Sequence, residues 1–201
     1  MNSLFDFIVE PVGQRYSNDV KVGDKSLIIN TKIESFKAVN NIAKVISIPK
    51  AFKTLIKKGD LIMIHHNVFR RFYDMKGREK NSKSYFKDNM YFVQLDQVYL
   101  YKPKDKWLSF GDRCFLAPIK DFNEVDTGLE QKLIGIVKIG NSSLEVLGIN
   151  EEDLVGFKPF GEFDFVVDGK RLYCMKSNDI VIKYEHQGNE VEYNPSWAQS
   201  G

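Results

Sequence analysis

The side chains best suited to nucleophilic, acid–base or metal chemistry in this 201-residue sequence are few, and their spacing argues against each use. His65 and His66 are adjacent within a strand-like pattern, which predicts side chains on opposite faces and no shared metal. His186 lies far away, and no Cys-x-x-Cys or paired-histidine spacing is present, so a zinc site is not expected. Gly156 and Gly161 flank aromatic residues and read as turn or bulge positions rather than a phosphate loop. A Gly-x-Ser-x-Gly elbow is missing. Asp60, Asp153 and Asp179 stand where strands begin, where carboxylates commonly form turns. The expectation is a protein that is not an enzyme and uses no cofactor or metal.

Cys114 and Cys174 sit in apolar strand patterns and read as buried, reduced thiols, the usual state in a cytosolic protein. A second chemistry is suggested by Phe69, Phe72, Tyr73, Tyr85, Phe86, Tyr91 and Phe92, interleaved with Arg70, Arg71, Arg78, Lys80, Lys83 and Lys87. Such a stretch could stack single-stranded bases, pack its rings across strands of a hairpin, or form subunit contacts. The net charge of +2 is no basic footprint, so the hairpin reading is preferred and no nucleic-acid partner is expected. No run approaches the roughly 18 apolar residues of a membrane span, and residues 1–6 do not resemble a signal peptide. With 43% hydrophobic and 28% charged residues, a soluble globular protein of the cytoplasm is expected, without a membrane partner.

The elements that must position these residues are strands. Short runs rich in Val, Ile, Phe and Tyr alternate with Gly, Asn, Asp and Pro throughout, which predicts an all-β fold. Residues 5–11 form a first strand ending in a proline, and residues 114–118 are its twin. The phrase 41–48, then 59–64, then 95–101 returns as 132–140, 152–157 and 177–184. A repeat of that size predicts two similar domains, 1–102 and 103–201, with the charged, proline-bearing segment 102–106 at the boundary. Asp168-Gly169 is a hairpin signal, and Met75-Lys76-Gly77 is read as its counterpart. At most one helical turn is expected in each of 49–56 and 143–149. Segment 13–25 is polar and precedes the aliphatic triplet Leu27-Ile28-Ile29; segment 78–89 is a basic hairpin tip without a twin. Residues 187–201 read as a loosely held tail, with Trp197 able to fold back.

Each half resembles a GroES-type co-chaperonin subunit. Gly111-Asp112-Arg113-Cys114-Phe115-Leu116 resembles the family's opening, and Ile134 to Gly140 its middle strand. Lys58-Gly59-Asp60 with Leu61 to Ile64 resembles the Gly-Asp strand, and Ser177 to Ile182 the closing strand. The resemblance implies two tandem, partly open β-barrel domains and a homo-oligomeric ring. That ring would cap a GroEL-type chaperonin in its ATP- or ADP-bound state and enclose a folding client. By the same resemblance, Leu27, Ile28 and Ile29 would be the chaperonin-binding triplet of a mobile loop. One anchor side chain contributes about 1.5–3 kcal/mol on burial, part of which offsets loop ordering, while a ring multiplies weak grips. The competing reading makes the triplet an ordinary barrel strand.

The departures from the family pattern are specific. The second half has only residues 120–131 where the loop belongs, with Leu129 as its aliphatic side chain, which predicts little or no grip. Short segments at 49–57 and 141–150 resemble bacteriophage co-chaperonins, whose client can be a capsid protein in the bacterial host cytoplasm. Tandem domains do not divide a seven-fold ring evenly. A virion assembly protein on the same barrels is the alternative function. The GroES-like half of alcohol dehydrogenases is a third, opposed by the missing nucleotide-binding unit and metal ligands.

Overall fold

The computed structural model describes residues 2–16, 19–22, 25–28, 39–121 and 130–198, with the backbone alone for 19–22 and 25–28. These residues form an all-β protein with one short helix, and the chain divides into two compact units, Met1–Trp107 and Leu108–Gly201. No described helix is long and apolar enough to cross a membrane.

The first unit contains β1 (Phe7–Pro11), β2 (Asp19–Val22), β3 (Lys25–Ile28), β4 (Ile42–Ser47) and β5 (Leu61–Ile64). It continues with β6 (Arg71–Tyr73), β7 (Glu79–Asn81), β8 (Tyr85–Lys87), β9 (Met90–Val93) and β10 (Val98–Lys102). Its main antiparallel sheet runs β10-β5-β4-β1-β9-β8, while β2–β3 and β6–β7 are separate two-stranded ribbons. The second unit contains β11 (Leu108–Ser109), β12 (Arg113–Lys120), β13 (Glu130–Ile139), α1 (Ser142–Val146) and β14 (Leu154–Phe157). It ends with β15 (Phe163–Val167), β16 (Lys170–Lys176) and β17 (Ile180–Tyr184). Its sheet runs β17-β14-β13-β12-β16-β15.

The two orders superimpose strand for strand, down to local irregularities. β1 opposite β4 slips register between Ile8 and Val9, and β12 opposite β13 slips between Phe115 and Leu116. Ahead of β5, the Lys57 amide donates to Asp60 Oδ2 at 2.8 Å; ahead of β14, the Asn150 amide donates to Asp153 Oδ2 at 2.7 Å. These aspartates act as turn formers, each closing its loop on its own backbone. Both sheets are open: among the described residues no pairing joins β10 to β8 or β17 to β15, so neither closes into a barrel.

Local chemistry explains where expectation and structure part. The hairpin equivalent to β15–β16, which turns at Asp168-Gly169, is β8–β9, and it turns at Asp88-Asn89 with φ of 46° and 59°. Asp and Asn tolerate the left-handed backbone that a tight hairpin turn needs. Residues 75–77 instead turn the additional β6–β7 ribbon. Segment 143–149 does form a helical turn, capped by Asn141 Oδ1, which accepts the Leu144 amide at 3.1 Å. Segment 49–56 does not: Pro49 is bridged to Ser3, and the Ile56 amide donates to Thr54 Oγ1 at 3.1 Å rather than to a carbonyl one helical turn earlier.

In the second unit Cys114, Leu116, Val137, Leu144, Val155, Tyr173 and Met175 fill one face of the sheet. The other face of β12 is buried as well, through Phe115, Ala117 and Ile119, so this strand reads as an unbroken apolar run. The tail is not loose. The Lys120 amide donates to the Val191 carbonyl and the Tyr193 amide to the Pro118 carbonyl, both at 2.8 Å, so the tail extends the β12 edge beyond β16. Glu192 meets Lys138 at 2.5 Å, Asn194 bridges the Arg171 amide and the Gly169 carbonyl, and Arg171 lies between the rings of Tyr173 and Trp197. A backbone edge that would otherwise lack partners accounts for this order.

Candidate functional site

The long connection from β1 to β4 is the feature that separates the first unit from the second. Its stems are tied down from both sides. Tyr16 and Val39 form an antiparallel bridge, and the Asn40 amide donates to the Arg15 carbonyl at 2.9 Å. The Asn40 side chain donates to the Val12 and Gln14 carbonyls and accepts the Ile42 amide, turning the chain back into β4. Arg15 grips the body of the unit through the Phe69 carbonyl, at 2.8 Å from Nη2, and through Asn81. The Arg71 amide donates to the Tyr16 hydroxyl at 2.5 Å, and its guanidinium stacks 4.1 Å over that ring.

Beneath the stems lies Tyr91, fully buried, with Arg15 over its face at 5.2 Å and Phe69 and Tyr85 edge-on. Its hydroxyl has no hydrogen-bond partner among the described residues, and burial pushes its pKa above the ordinary phenol value. The equivalent residue in the second unit is Tyr173, matched by the pairings Val9–Tyr91 and Leu116–Tyr173. Tyr173 bonds to Glu130, which also pairs with Arg171.

Within the connection, β2 and β3 pair from Asp19 opposite Ile28 to Val22 opposite Lys25. Leu27 and Ile28 therefore lie on the backbone of a ribbon separate from the main sheet. Their side chains, and the whole of Ile29, lie outside the described residues. In the second unit the corresponding connection, from β12 to β13, contains residues 121–129, and Leu129 also lies outside the described residues.

The other sequence candidates are scattered. His65 and His66 do not point to opposite faces: β5 ends at Ile64, and the two rings stack at 4.3 Å. His65 caps the turn that begins there, its Nδ1 accepting the Asn67 amide. Burial, with the neighbouring His65 and Arg70, holds the His66 pKa down to about 4. No group of three or more His, Cys, Asp or Glu side chains suited to a metal occurs among the described residues. Cys114 and Cys174 are free, buried thiols; burial pushes Cys174 up to about 12 and Cys114 higher still. Gly156 sits at the bulge of β14, where an added Cβ would come 3.0 Å from the Tyr184 ring.

The aromatic stretch divides between two roles. Phe69 and Tyr91 are core, and Phe86 packs on Phe92 across the β8–β9 hairpin, while Phe72 and Tyr73 stand exposed on the additional ribbon. The sequence reading missed the stem clasp of Arg15, Tyr16, Asn40 and Arg71. Its signal was present as Arg15-Tyr16 and Asn40-Asn41 flanking the polar segment. No protein-family model matches the chain, and no curated protein sequence matches it.

Proposed function

We propose that the chain is a non-enzymatic co-chaperonin: an oligomeric cap that closes a GroEL-type chaperonin around a folding client in a nucleotide-dependent cycle. The single observation that carries the reading is the long β1–β4 connection, clasped at both stems and bearing Leu27 and Ile28 on a separate ribbon. A peptide loop clasped at its base can reach a partner while the sheet beneath stays fixed. The repeated strand order supports two GroES-like domains, of which the first carries the gripping loop. Leu27, Ile28 and Ile29 are its anchor.

The exposed edge strand β17 supports assembly into a ring. Val181, Ile182 and Tyr184 on it are open to solvent, and edges of that kind are normally blunted or paired. The connector preceding the Gly-Asp strand is short in both units, residues 48–60 and 140–153, which suits a wide client chamber such as a capsid protein would need. A bacterial host's cytoplasm is the matching location for a bacteriophage protein of this kind.

The test is co-elution with a GroEL-type ring on size exclusion, with ATP, with ADP and without nucleotide, beside a Leu27→Ser/Ile28→Ser/Ile29→Ser variant. Nucleotide-dependent co-elution that the variant abolishes is the expected result. A well-folded protein that never co-elutes would end the cap reading.

A further inference from the structure

The two units carry opposite charge. Met1–Trp107 has 20 Lys and Arg against 11 Asp and Glu, a net +9, whereas Leu108–Gly201 has 9 against 16, a net −7. The whole-chain value of +2 conceals a strongly polar molecule.

The contrast is sharpest at two structurally equivalent places, the β4–β5 connector and the β13–β14 connector. The first holds Lys50, Lys53, Lys57 and Lys58, with Asp60 as its carboxylate; the second holds Glu145, Glu151, Glu152 and Asp153 and no Lys or Arg. Asp60 and Asp153 are both occupied in closing their own loops, Asp153 also pairs with Lys183 at 2.7 Å, and Glu152 pairs with Lys138 at 2.6 Å. No ion pair of the four lysines occurs among the described residues, nor one of Glu145. Both connectors are pinned by a buried isoleucine, Ile56 in one and Ile149 in the other. Each then presents large apolar side chains to solvent: Phe52 is 46% and Leu55 76% exposed, and Val146 is 87% and Leu147 70% exposed. Scattered apolar side chains on a surface are ordinary; a pair on a pinned connector, with lysines beside one pair and Glu145 beside the other, is the composition of an interface.

We infer that these connectors are complementary docking surfaces, and that their occupant is a second copy of this chain, its acidic connector seated against the basic connector of the first. Phe52 and Leu55 meet Val146 and Leu147 at the centre, and lysines face Glu145 at the rim. The charges select the pairing of unlike units, because two first units or two second units set side by side would juxtapose like charges. Such a contact is heterologous, so it propagates from copy to copy and closes into a ring when the rotation allows. The complementary surface is supplied by the chain itself, one for one, which favours a second copy over a polyanion that the −7 unit would repel. The inference rests on the oligomeric part of the proposed function and not on chaperonin capture.

Sedimentation velocity of the full chain at about 0.05 M and about 0.5 M salt brackets the ~10 Å Debye length reached near 0.1 M. Two variants accompany it, Lys50→Glu/Lys53→Glu and Glu145→Lys/Glu151→Lys, together with their combination and with circular dichroism as the check on folding. The expected result is an oligomer that weakens with salt, weakens on the order of tenfold or more in each variant alone, and recovers in the combination. A monomer at both salt concentrations overturns the inference, as does an oligomer indifferent to both variants or a combination that fails to recover. Retention of a single-stranded oligonucleotide by a monomeric wild type would assign the basic connector to a polyanion and also overturn it. Chaperonin co-elution is scored separately: its absence with the charge-swap recovery intact removes the cap reading alone.

Discussion

Tyr91 and Tyr173 occupy equivalent positions in the two sheets, yet removing the hydroxyl should have opposite effects. Tyr91 is fully buried, and its hydroxyl is unpartnered among the described residues. An unpaired buried hydroxyl costs about 1–3 kcal/mol of desolvation. Tyr91→Phe removes that cost while keeping the edge-on contacts with Phe69 and Tyr85 and the Arg15 contact over the ring. The first unit should gain about 1–2 kcal/mol. Tyr173 bonds to Glu130, a charged acceptor, so Tyr173→Phe loses a bond worth about 1.5–3 kcal/mol. Glu130 keeps Arg171, which places the loss at the lower end, about 1.5 kcal/mol. The chain has two tryptophans, Trp107 in the first unit and Trp197 in the second, so single-tryptophan backgrounds report each unit separately in urea. With an m-value of about 1–1.5 kcal/mol/M for units of this size, the midpoints should move by about 1 M, up for Tyr91→Phe and down for Tyr173→Phe. A fall in the first unit's midpoint would mean that the Tyr91 hydroxyl has a partner, and would refute the argument.

Other perturbations test other parts of the architecture. His66 is held neutral in the fold, its pKa about 4 against 6.5 for the free side chain, so the unfolded chain takes up its proton first as pH falls. Stability should therefore drop between about pH 6.5 and pH 4, and His66→Gln should flatten that part of the profile in urea titrations. A Cβ at Gly135 would lie 2.9 Å from the Ala117 carbonyl oxygen and 3.1 Å from Leu116 Cβ. Backbone cannot yield as a flexible side chain does, so Gly135→Ala should destabilise the second unit by about 1–3 kcal/mol in denaturant unfolding. Deleting residues 187–201 removes two backbone bonds to β12 and the Glu192–Lys138 pair. The second unit should lose about 2 kcal/mol, and hydrogen exchange should speed most at the Lys120 amide.

The strands and their repetition along the chain were legible in the sequence because a sheet writes its own code: alternating or continuous apolar runs, broken by turn residues, at matching intervals in both halves. The turns ahead of β5 and β14 were legible for the same reason, since Asp60 and Asp153 act on backbone only three residues away. The position of the long connection was also readable, through its polar composition and the aliphatic triplet within it. What the sequence could not decide depended on which groups compete for the same backbone. Residues 49–56 have the composition for a helical turn, but the start of the segment is held alongside Ser3 and Leu4, far away in the chain, by the Ser3–Pro49 bridge and the bonds of the Lys50 and Ala51 amides. The tail reads as loose because Lys138 and Arg171, the partners of Glu192 and Asn194, and the unpaired end of β12 lie far away in the chain and meet it only in the folded sheet. His65 and His66 read as a strand pair until β5 ends one residue earlier and the rings turn together. The charge split was present in the composition, yet it acquires meaning only once the chain is divided into units and the two connectors are seen to occupy equivalent places. Local rules fixed the elements; long-range competition for hydrogen bonds, and the equivalence created by folding twice to one plan, decided the rest.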